Sequence, residues 1–511
     1  MISSSNQRRI GIALQYIQMG LGIIIQLLYT SIMLKILGAN EYGIYNIASS
    51  TIAYLSLLSL GFGSSYIRYY SIYKNKEDTN GIKKLNGLYI LVFSFIGIIA
   101  LIVGGILSIN AGIFLNDTYS IQEIGIAKVL MAFLTINLAI SFPASVFVSY
   151  ISSQERFIFQ KIVNMGKTIL GPAFNIVVLY LGYGSIGMVI VTTLISLIVD
   201  VVNVYFCLSK LNMKFSFRNP NLRLLKDIFA FSIFIAINQI IDQINWQTDK
   251  LILGKFVNGT SVAIYAVASN INTMFTNFST SISSVFAPKV NRIVSKNEPS
   301  MDFELTKLFI QVGRVQWFVL ALILSGYIFF GQYFIKIWAG TEYSNAYWVG
   351  LLLMAPAVIA LIQNVGIEIQ RAKNKHQFRS IVYLFMAFLN VGISIWFAFL
   401  WQEIGVAIGT TISLIVANGL IMNVYYHKKL GINILCFWKS ILQSLPCLVL
   451  PIIAGICVLM FLSFNSIFEF AICILGYTFI YLCSVYLLGF NAEERGFIKT
   501  ALTRLSRRKN A

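Results

Sequence analysis

The stretch ILGANEYGIYNIAS, residues 36–49, decides the fold because it returns as ILGKFVNGTSVAIYAVAS, residues 252–269. In both copies Ile-Leu-Gly ends an apolar run, a polar turn with glycine follows, and Ile-Tyr-x-x-Ala-Ser opens the next apolar run. Gly38 and Gly254 lie 216 residues apart, whereas the matching tyrosines lie 220 apart, so the second turn is four residues longer. One repeated turn could arise by chance, whereas a duplicated unit should show further matches at the same spacing.

Two further matches occur at nearly the same spacing. FQKIV at 159–163 recurs as FRSIV at 378–382, and a set of Ile-Gly, Thr-Thr and Asn-Val-Tyr between 186 and 205 recurs between 404 and 425. Shared apolar composition would not by itself repeat glycine, tyrosine, threonine and asparagine in order. A fixed period over this length predicts a duplicated structural unit.

Composition places the chain in the membrane. It has 511 residues, of which 58% are hydrophobic and 11% charged, against about 25% charged in soluble domains. Crossing the bilayer takes roughly 20 apolar residues in a helix, and continuous runs of this length favour helices over barrel strands. We predict about fourteen transmembrane helices at 10–35, 43–67, 87–109, 125–151, 162–182, 185–208, 228–251, 261–287, 305–330, 347–369, 380–400, 404–426, 441–463 and 467–489.

The basic residues predict the orientation of these helices. Of 38 Lys and Arg residues, all but five lie in or near connections on one side; the exceptions are Lys35, Lys128, Lys250, Lys255 and Lys336. The positive-inside rule assigns the basic side to the cytoplasm, which puts both termini there. The net charge of +19 is then explained by topology and anionic headgroups, and it is no argument for nucleic-acid binding.

Ionisable side chains within or beside the spans are the candidate functional residues, because a charge in hydrocarbon is costly. The basic candidates for an anionic cargo, phosphate above all, are Arg68, Lys128, Lys167, Lys250 and Arg314. The acidic candidates for Na⁺ or H⁺ coupling are Asp242, Asp249 and Glu368. Snorkelling to the headgroups is an equal alternative for Arg68, Lys128 and Lys250, and Lys167 could instead pair with Asp200.

Signatures of an enzyme or a metal site are absent from the sequence. It contains no phosphate-binding Walker loop, and its six cysteines and two histidines form no CxxC or Cys/His cluster. Short outward connections leave little room for an external catalytic domain. We therefore expect no catalytic residue, no metal and no cofactor beyond a coupling ion.

Several motifs resemble those of the bacterial polysaccharide-biosynthesis flippases, of the superfamily that includes multidrug extruders and the lipid II flippase. They are LGANEYGIYN, GFGSSYIRYY at 61–70, QERFIFQKIVNMGKTIL at 154–170, DKLILG at 249–254 and IQRAKNKHQFRSIVYL at 369–384. The motifs mark the family better than they mark the substrate. By position they carry over Arg68 and Lys250; the other site residues are inferences from charge.

The resemblance implies two six-helix lobes related by a pseudo-twofold axis, which agrees with the repeat, and alternating access between them. The implied organisation is an N-lobe at 1–208, an inter-lobe linker at 209–227, a C-lobe at 228–426, and two extra helices with a basic cytoplasmic tail at 427–511. The implied cargo is an oligosaccharide repeat unit on undecaprenyl diphosphate, flipped across the inner membrane for surface polysaccharide synthesis, with membrane lipids, a polysaccharide polymerase and chain-length proteins as partners. A cation-coupled multidrug extruder of the same fold is the alternative, and a membrane-embedded glycosyltransferase is less compatible with the short outward loops.

Overall fold

The computed structural model describes residues 4–115, 119–218, 222–296, 298–461, 464, 466–492 and 494–496. Within these residues the regular structure is helical and contains no strand. The basic tail predicted beyond residue 496 lies outside the described residues. The helices are α1 Ser4–Ala53, α2 Phe62–Asn75, α3 Thr79–Ile109, α4 Ile121–Ser153, α5 Phe157–Tyr180, α6 Gly184–Tyr205, α7 Leu222–Phe256, α8 Gly259–Ser284, α9 Ala287–Lys296, α10 Met301–Trp338, α11 Ala346–Leu361, α12 Val365–Ala372, α13 Gln377–Leu414, α14 Met422–Leu430, α15 Ile434–Leu442, α16 Val449–Phe461 and α17 Ile467–Ser484.

Nine helical stretches among the described residues are long and apolar enough to cross a membrane, or ten if the bent pair α11 and α12 is one span. Two of them, Ile17–Asn75 and Gln377–Leu430, have 59 and 54 residues, enough for two crossings each. Helices α7 and α8 have the length of a span but a more polar composition. Counted this way, the helices agree with about fourteen spans, and the predicted all-helical multi-span fold is confirmed.

Breaks in the two longest helices fall where the sequence predicts connections. Gly38 has φ +72°, a left-handed value that glycine adopts without a steric penalty, and it divides α1 between the first two predicted spans. Trp401 and Gln402 leave helical geometry inside α13, between the eleventh and twelfth predicted spans. A few helix starts are capped by a side chain, as at α4, where Ser120 and Glu123 form a capping box.

Packing divides the chain into two units. The first comprises Met1–Ala266 with Val391–Val406, and the second Val267–Asn390 with Ala407–Ala511. The predicted lobes are continuous stretches of sequence, whereas each of these packing units combines segments that are separate in sequence. The predicted lobe boundaries at 208 and 228 therefore stay a prediction. In the first unit, α2, α3 and α4 share an aromatic core that includes Phe62, Tyr66, Tyr89, Phe93 and Phe142.

In the second unit the long helix α10 supports the C-terminal pair α16 and α17. Phe318 packs with Tyr481 and Cys447 in one cluster, and Phe330 packs with Phe470 and Tyr477 in another. The Tyr481 hydroxyl also donates to the Phe318 carbonyl over 2.7 Å. The two predicted extra helices are therefore an integral part of this unit.

Candidate functional site

The two copies of the repeated motif meet each other in the first unit. A Cβ built on Gly43 would overlap the backbone of Gly259, and one built on Gly259 would overlap the Asn40 side chain. Gly254 likewise lies against the Ile47 side chain. The glycines of the repeat thus allow two backbones to touch directly, at the predicted outer end of the helices.

Below this contact, α1 and the turn after it face α7 through polar side chains that we call the polar seam: Ser50, Tyr54, Gln243, Gln247 and Thr248. Ser50 donates to Gln247 Oε1 over 2.9 Å, and the Tyr54 hydroxyl bonds Thr248 and lies 3.4 Å from the Gln243 carbonyl. Gln243 Oε1 is buried and accepts no hydrogen bond from any residue that the structure describes. A seam of amides and hydroxyls within membrane-length helices can line a hydrated path or coordinate a cation.

Asp249 lies at the end of this seam. Its side chain is 2% exposed, and the Tyr265 hydroxyl donates to its Oδ2. Tyr265 belongs to the second motif copy, so the repeat that was found in the sequence holds a predicted ion-coupling carboxylate. Asp242, two helical turns earlier on α7, is exposed and is not placed in the same buried surroundings.

The four basic candidates of the first unit occupy separate helices. Arg68 on α2 is exposed, with its guanidinium 6.0 Å from the Tyr69 ring. Lys128 on α4 and Lys167 on α5 are exposed, and Lys250 on α7 is half-buried beside Asp249. The structure brings Lys250 together with Asp249, but it does not gather all four cations into one cluster.

Lys167 lies close enough to Asp200 on α6 for the two charges to attract each other. This attraction is compatible with the structural pairing that the sequence left open. A cargo role for Lys167 stays a prediction.

Arg314 on α10 has a different environment from the other basic candidates. It is 4% exposed, and its Nε and Nη2 donate to the Glu494 carboxylate over 2.7 and 2.9 Å. The remaining donors reach the carbonyl of Gly489 over 2.7 Å and the carbonyl and hydroxyl of Ser440 over 2.8 and 3.3 Å. A guanidinium has five N–H donors, so Arg314 has a structural role here and no donor remains for a cargo phosphate.

Glu368, the third acidic candidate, lies on the short helix α12. Its Oε1 accepts a hydrogen bond from Nη1 of Arg371, three residues further on, over 2.9 Å, and the two side chains form an ion pair. The Arg371 side chain is 65% exposed. Such an exposed pair within one helix contributes little free energy. In this arrangement Glu368 is a surface charge, and its ion-coupling role stays a prediction.

Sequence reasoning missed part of the site. Glu403, just after the break in α13, is 3% exposed and accepts from the Ser261 hydroxyl over 2.8 Å. It was missed because it falls in the predicted connection between the eleventh and twelfth spans, and Ser50, Tyr54 and Gln247 were missed because they are not ionisable. The signal was present in α7, where NQIIDQINWQTD at 238–249 places amides and carboxylates at three- and four-residue spacing.

The geometry defines a class of protein: a multi-pass helical membrane protein with a polar seam inside its membrane-length helices. A family model described as polysaccharide biosynthesis protein matches residues 11–294, which is more than half of the chain. The chain belongs to this family, and the resemblance noted in the sequence is confirmed.

Individual relatives agree with this assignment. A capsular polysaccharide biosynthesis protein, CapF of Staphylococcus aureus, is 24% identical over 222 residues, which is 43% of this chain and 54% of the relative. The match therefore spans about half the length of that curated relative.

Solved structures extend the similarity to nearly the whole chain. A lipid II flippase, MurJ, in an inward closed conformation matches with a TM-score of 0.74 and 17% identity, covering 94% of this chain and 98% of MurJ. An inward-facing multidrug resistance MATE transporter of the MOP superfamily matches with a TM-score of 0.60 and 15% identity, covering 81% and 96%. At these identities the similarity establishes a shared fold.

Proposed function

We propose that the protein flips undecaprenyl-diphosphate-linked oligosaccharide repeat units across the bacterial inner membrane for surface polysaccharide synthesis. The observation that carries the proposal is the family match over residues 11–294. The transporter fold and the polar seam beside Asp249 support it. Both termini are proposed to be cytoplasmic, as the distribution of Lys and Arg indicates.

This function needs a path and no covalent chemistry, so we propose no enzymatic activity. Each unpaired polar group costs several kcal/mol in hydrocarbon, so a diphosphate with sugars does not cross unaided. Arg68, Lys128 and Lys250 are the proposed cations for the diphosphate. The amides and hydroxyls of the polar seam would replace water around the sugars.

Alternating access is the proposed mechanism, and the glycine contact between the motif copies is its proposed outer gate. The direct approach of Gly43 to Gly259 leaves no room for a hydrated cargo between these backbones. Outward release therefore requires the two turns to separate. The proposed energy source is an ion at Asp249, held by Tyr265, with Asp242 as the alternative site.

Deletion of the gene tests the cargo. We expect lipid-linked repeat units to accumulate on the cytoplasmic face and surface glycan to fall, with both restored by the wild-type gene. Thin-layer separation of radiolabelled lipid-linked sugars measures the accumulation. Normal surface glycan in the deletion strain would contradict the proposal.

A multidrug extruder is the second candidate, because the fold is shared with a MATE transporter and because buried Asp249 could bind a cationic drug. The same deletion strain separates the two functions. Unchanged glycan together with increased retention of a cationic dye would favour the extruder. Accumulated lipid-linked sugar with normal dye efflux favours the flippase.

A further inference from the structure

A groove of about 870 Å³ lies in the second unit, where α13 begins and α14 ends. We call it the lysine groove; the argument uses Lys375, Phe378, Leu420, Val424, Lys428 and Lys429 from its lining. It contains none of the ionisable residues assigned to the cargo or to ion coupling. Its chemistry changes along its length, from apolar within the span to cationic at the end.

The apolar part of the lysine groove faces outward from the protein. Leu420 is 61% exposed and Val424 54% exposed, on the 54-residue membrane-length stretch Gln377–Leu430. The groove passes beside the π-helical segment Ile415–Ile421. A Cβ built on Gly419 in that segment would make ordinary van der Waals contact with Ile415 and Ile359, 3.8 and 4.0 Å away, and would overlap neither. This part of the groove can therefore accept a hydrocarbon chain from the bilayer.

The end of the lysine groove is cationic and structurally fixed. Lys375 Nζ donates to the Lys429 carbonyl over 2.7 Å, and the Tyr425 hydroxyl donates to the Lys375 carbonyl over 2.9 Å. Phe378 stacks on Tyr425 with ring centroids 4.3 Å apart. These contacts hold Lys375 and the backbone of Lys429 at one opening, which the exposed Lys428 also lines.

Carboxylates are missing from the lining of the lysine groove but present beside it. Lys373 pairs with Asp302 over 2.7 Å and Arg371 pairs with Glu368 over 2.9 Å, so these two neighbouring cations already have counter-ions. Among the residues that the structure describes, the groove lining includes three lysines and no Asp or Glu. The groove therefore has a local excess of positive charge that attracts an anion from outside the chain.

We propose that the lysine groove binds a phospholipid with an anionic headgroup from the bilayer. The phosphate lies on Lys428 and Lys429, and an acyl chain lies along Leu420 and Val424. Juxtamembrane lysines attract anionic lipids electrostatically, and the acyl chain adds apolar contact that a soluble phosphate lacks. The inference rests on the membrane placement of α13 and α14, and it does not depend on which cargo is transported.

Native mass spectrometry of the full-length purified protein tests the proposal. The probes are phosphatidylglycerol and phosphatidylcholine with identical acyl chains, so that only headgroup charge differs. Lys428→Gln/Lys429→Gln removes the charged end, and Gly419→Phe fills the apolar part while keeping the lysines. Lys74→Gln/Lys76→Gln is the matched control, since it removes the same charge from two exposed lysines on α2 and at its end.

We expect the wild type and the Lys74/Lys76 variant to retain phosphatidylglycerol in preference to phosphatidylcholine. The Lys428/Lys429 variant should bind phosphatidylglycerol at least about tenfold more weakly, because it loses the electrostatic attraction of two lysines for the headgroup. Gly419→Phe should also lose the lipid while eluting as a monodisperse folded protein. Equal retention of both lipids by the wild type, or equal losses in the two double variants, would overturn the proposal.

Competition with undecaprenyl diphosphate distinguishes a phospholipid site from a cargo site. If it displaces phosphatidylglycerol at equal concentration and its binding falls in the Lys428/Lys429 variant, the groove belongs to the cargo and the phospholipid proposal fails. If phosphatidylglycerol stays bound, the proposal holds. A protein that binds phosphatidylglycerol selectively but causes no accumulation of lipid-linked sugar on deletion would contradict the proposed function alone.

Discussion

Arg314 illustrates how one residue's surroundings decide its role. Its guanidinium is bonded on every side by Glu494, Ser440 and Gly489, and it lies 5.4 Å from the centre of the Phe318 ring. Its hydrogen-bond partners lie in α15 and in the segment after α17. Arg314 therefore fastens the C-terminal helices to α10.

Breaking this contact should destabilise the protein. Arg314→Ala leaves Glu494 and two carbonyls without their partner, so we expect a loss of about 3 kcal/mol or more. Thermal unfolding in detergent measures it. Arg314→Met combined with Glu494→Gln should recover part of the loss, because it removes both charges; no recovery would show that packing around the aliphatic stem dominates.

Arg68 is the residue on which the cargo assignment can be tested most directly. Arg68→Ala should reduce glycan export about tenfold, because a charge-assisted hydrogen bond to phosphate contributes roughly 1.5–3 kcal/mol. Arg68→Lys should keep part of the activity. The measurement is surface glycan at equal protein level, with Lys74→Ala as control. Wild-type export by both Arg68 variants would make the residue an interfacial anchor.

At the scale of elements, the repeated turns are a part of the fold where two segments distant in sequence approach each other closely. The backbones of Gly43 and Gly259 touch, whereas Gly105 on α3 has nothing within 4 Å of a built Cβ. The same substitution should therefore have opposite consequences at these glycines. Helix propensity cannot explain such a difference, because alanine is a better helix former than glycine at each of these positions.

Gly43→Leu should prevent the two motif copies from closing and should abolish transport while the helices remain folded. Gly105→Leu is the matched control and should keep transport at the wild-type level, because a built Cβ on Gly105 has nothing within 4 Å. Glycan export and circular dichroism of the purified variants give the two readouts. Full export by Gly43→Leu would mean that the turns need not close during the cycle.

At the scale of the whole molecule, the charge distribution predicts the orientation in the membrane, whereas packing determines the two structural units. The basic residues cluster in alternate connections, and this pattern predicts which side is cytoplasmic without reference to any contact. The division of the chain at Ala266 depends instead on how the second motif copy packs.

Single-cysteine labelling tests the predicted orientation. In a variant whose six cysteines are replaced by serine, Glu342→Cys should react with a membrane-impermeant maleimide on intact spheroplasts. Lys76→Cys should react only after permeabilisation, because it lies in a basic connection. Both side chains are exposed in the structure, so burial cannot explain a difference. The reverse pattern would invert the proposed topology.

The sequence by itself determined the helical membrane fold, the repeat and the proposed orientation. Each of these follows from local composition or spacing: apolar runs must become helices in lipid, and Lys and Arg in short connections select the cytoplasmic side. The same reasoning found Asp249 as an ionisable group within a span.

Only the tertiary structure decided which side chains share surroundings. Spacing along α7 could not show that Tyr265 holds Asp249, that Gln247 meets Ser50, or that Arg314 is bonded to Glu494 180 residues away. Charge within a span is visible in the sequence, but its partner is not, because hydrogen bonding and desolvation depend on groups that folding brings from distant parts of the chain.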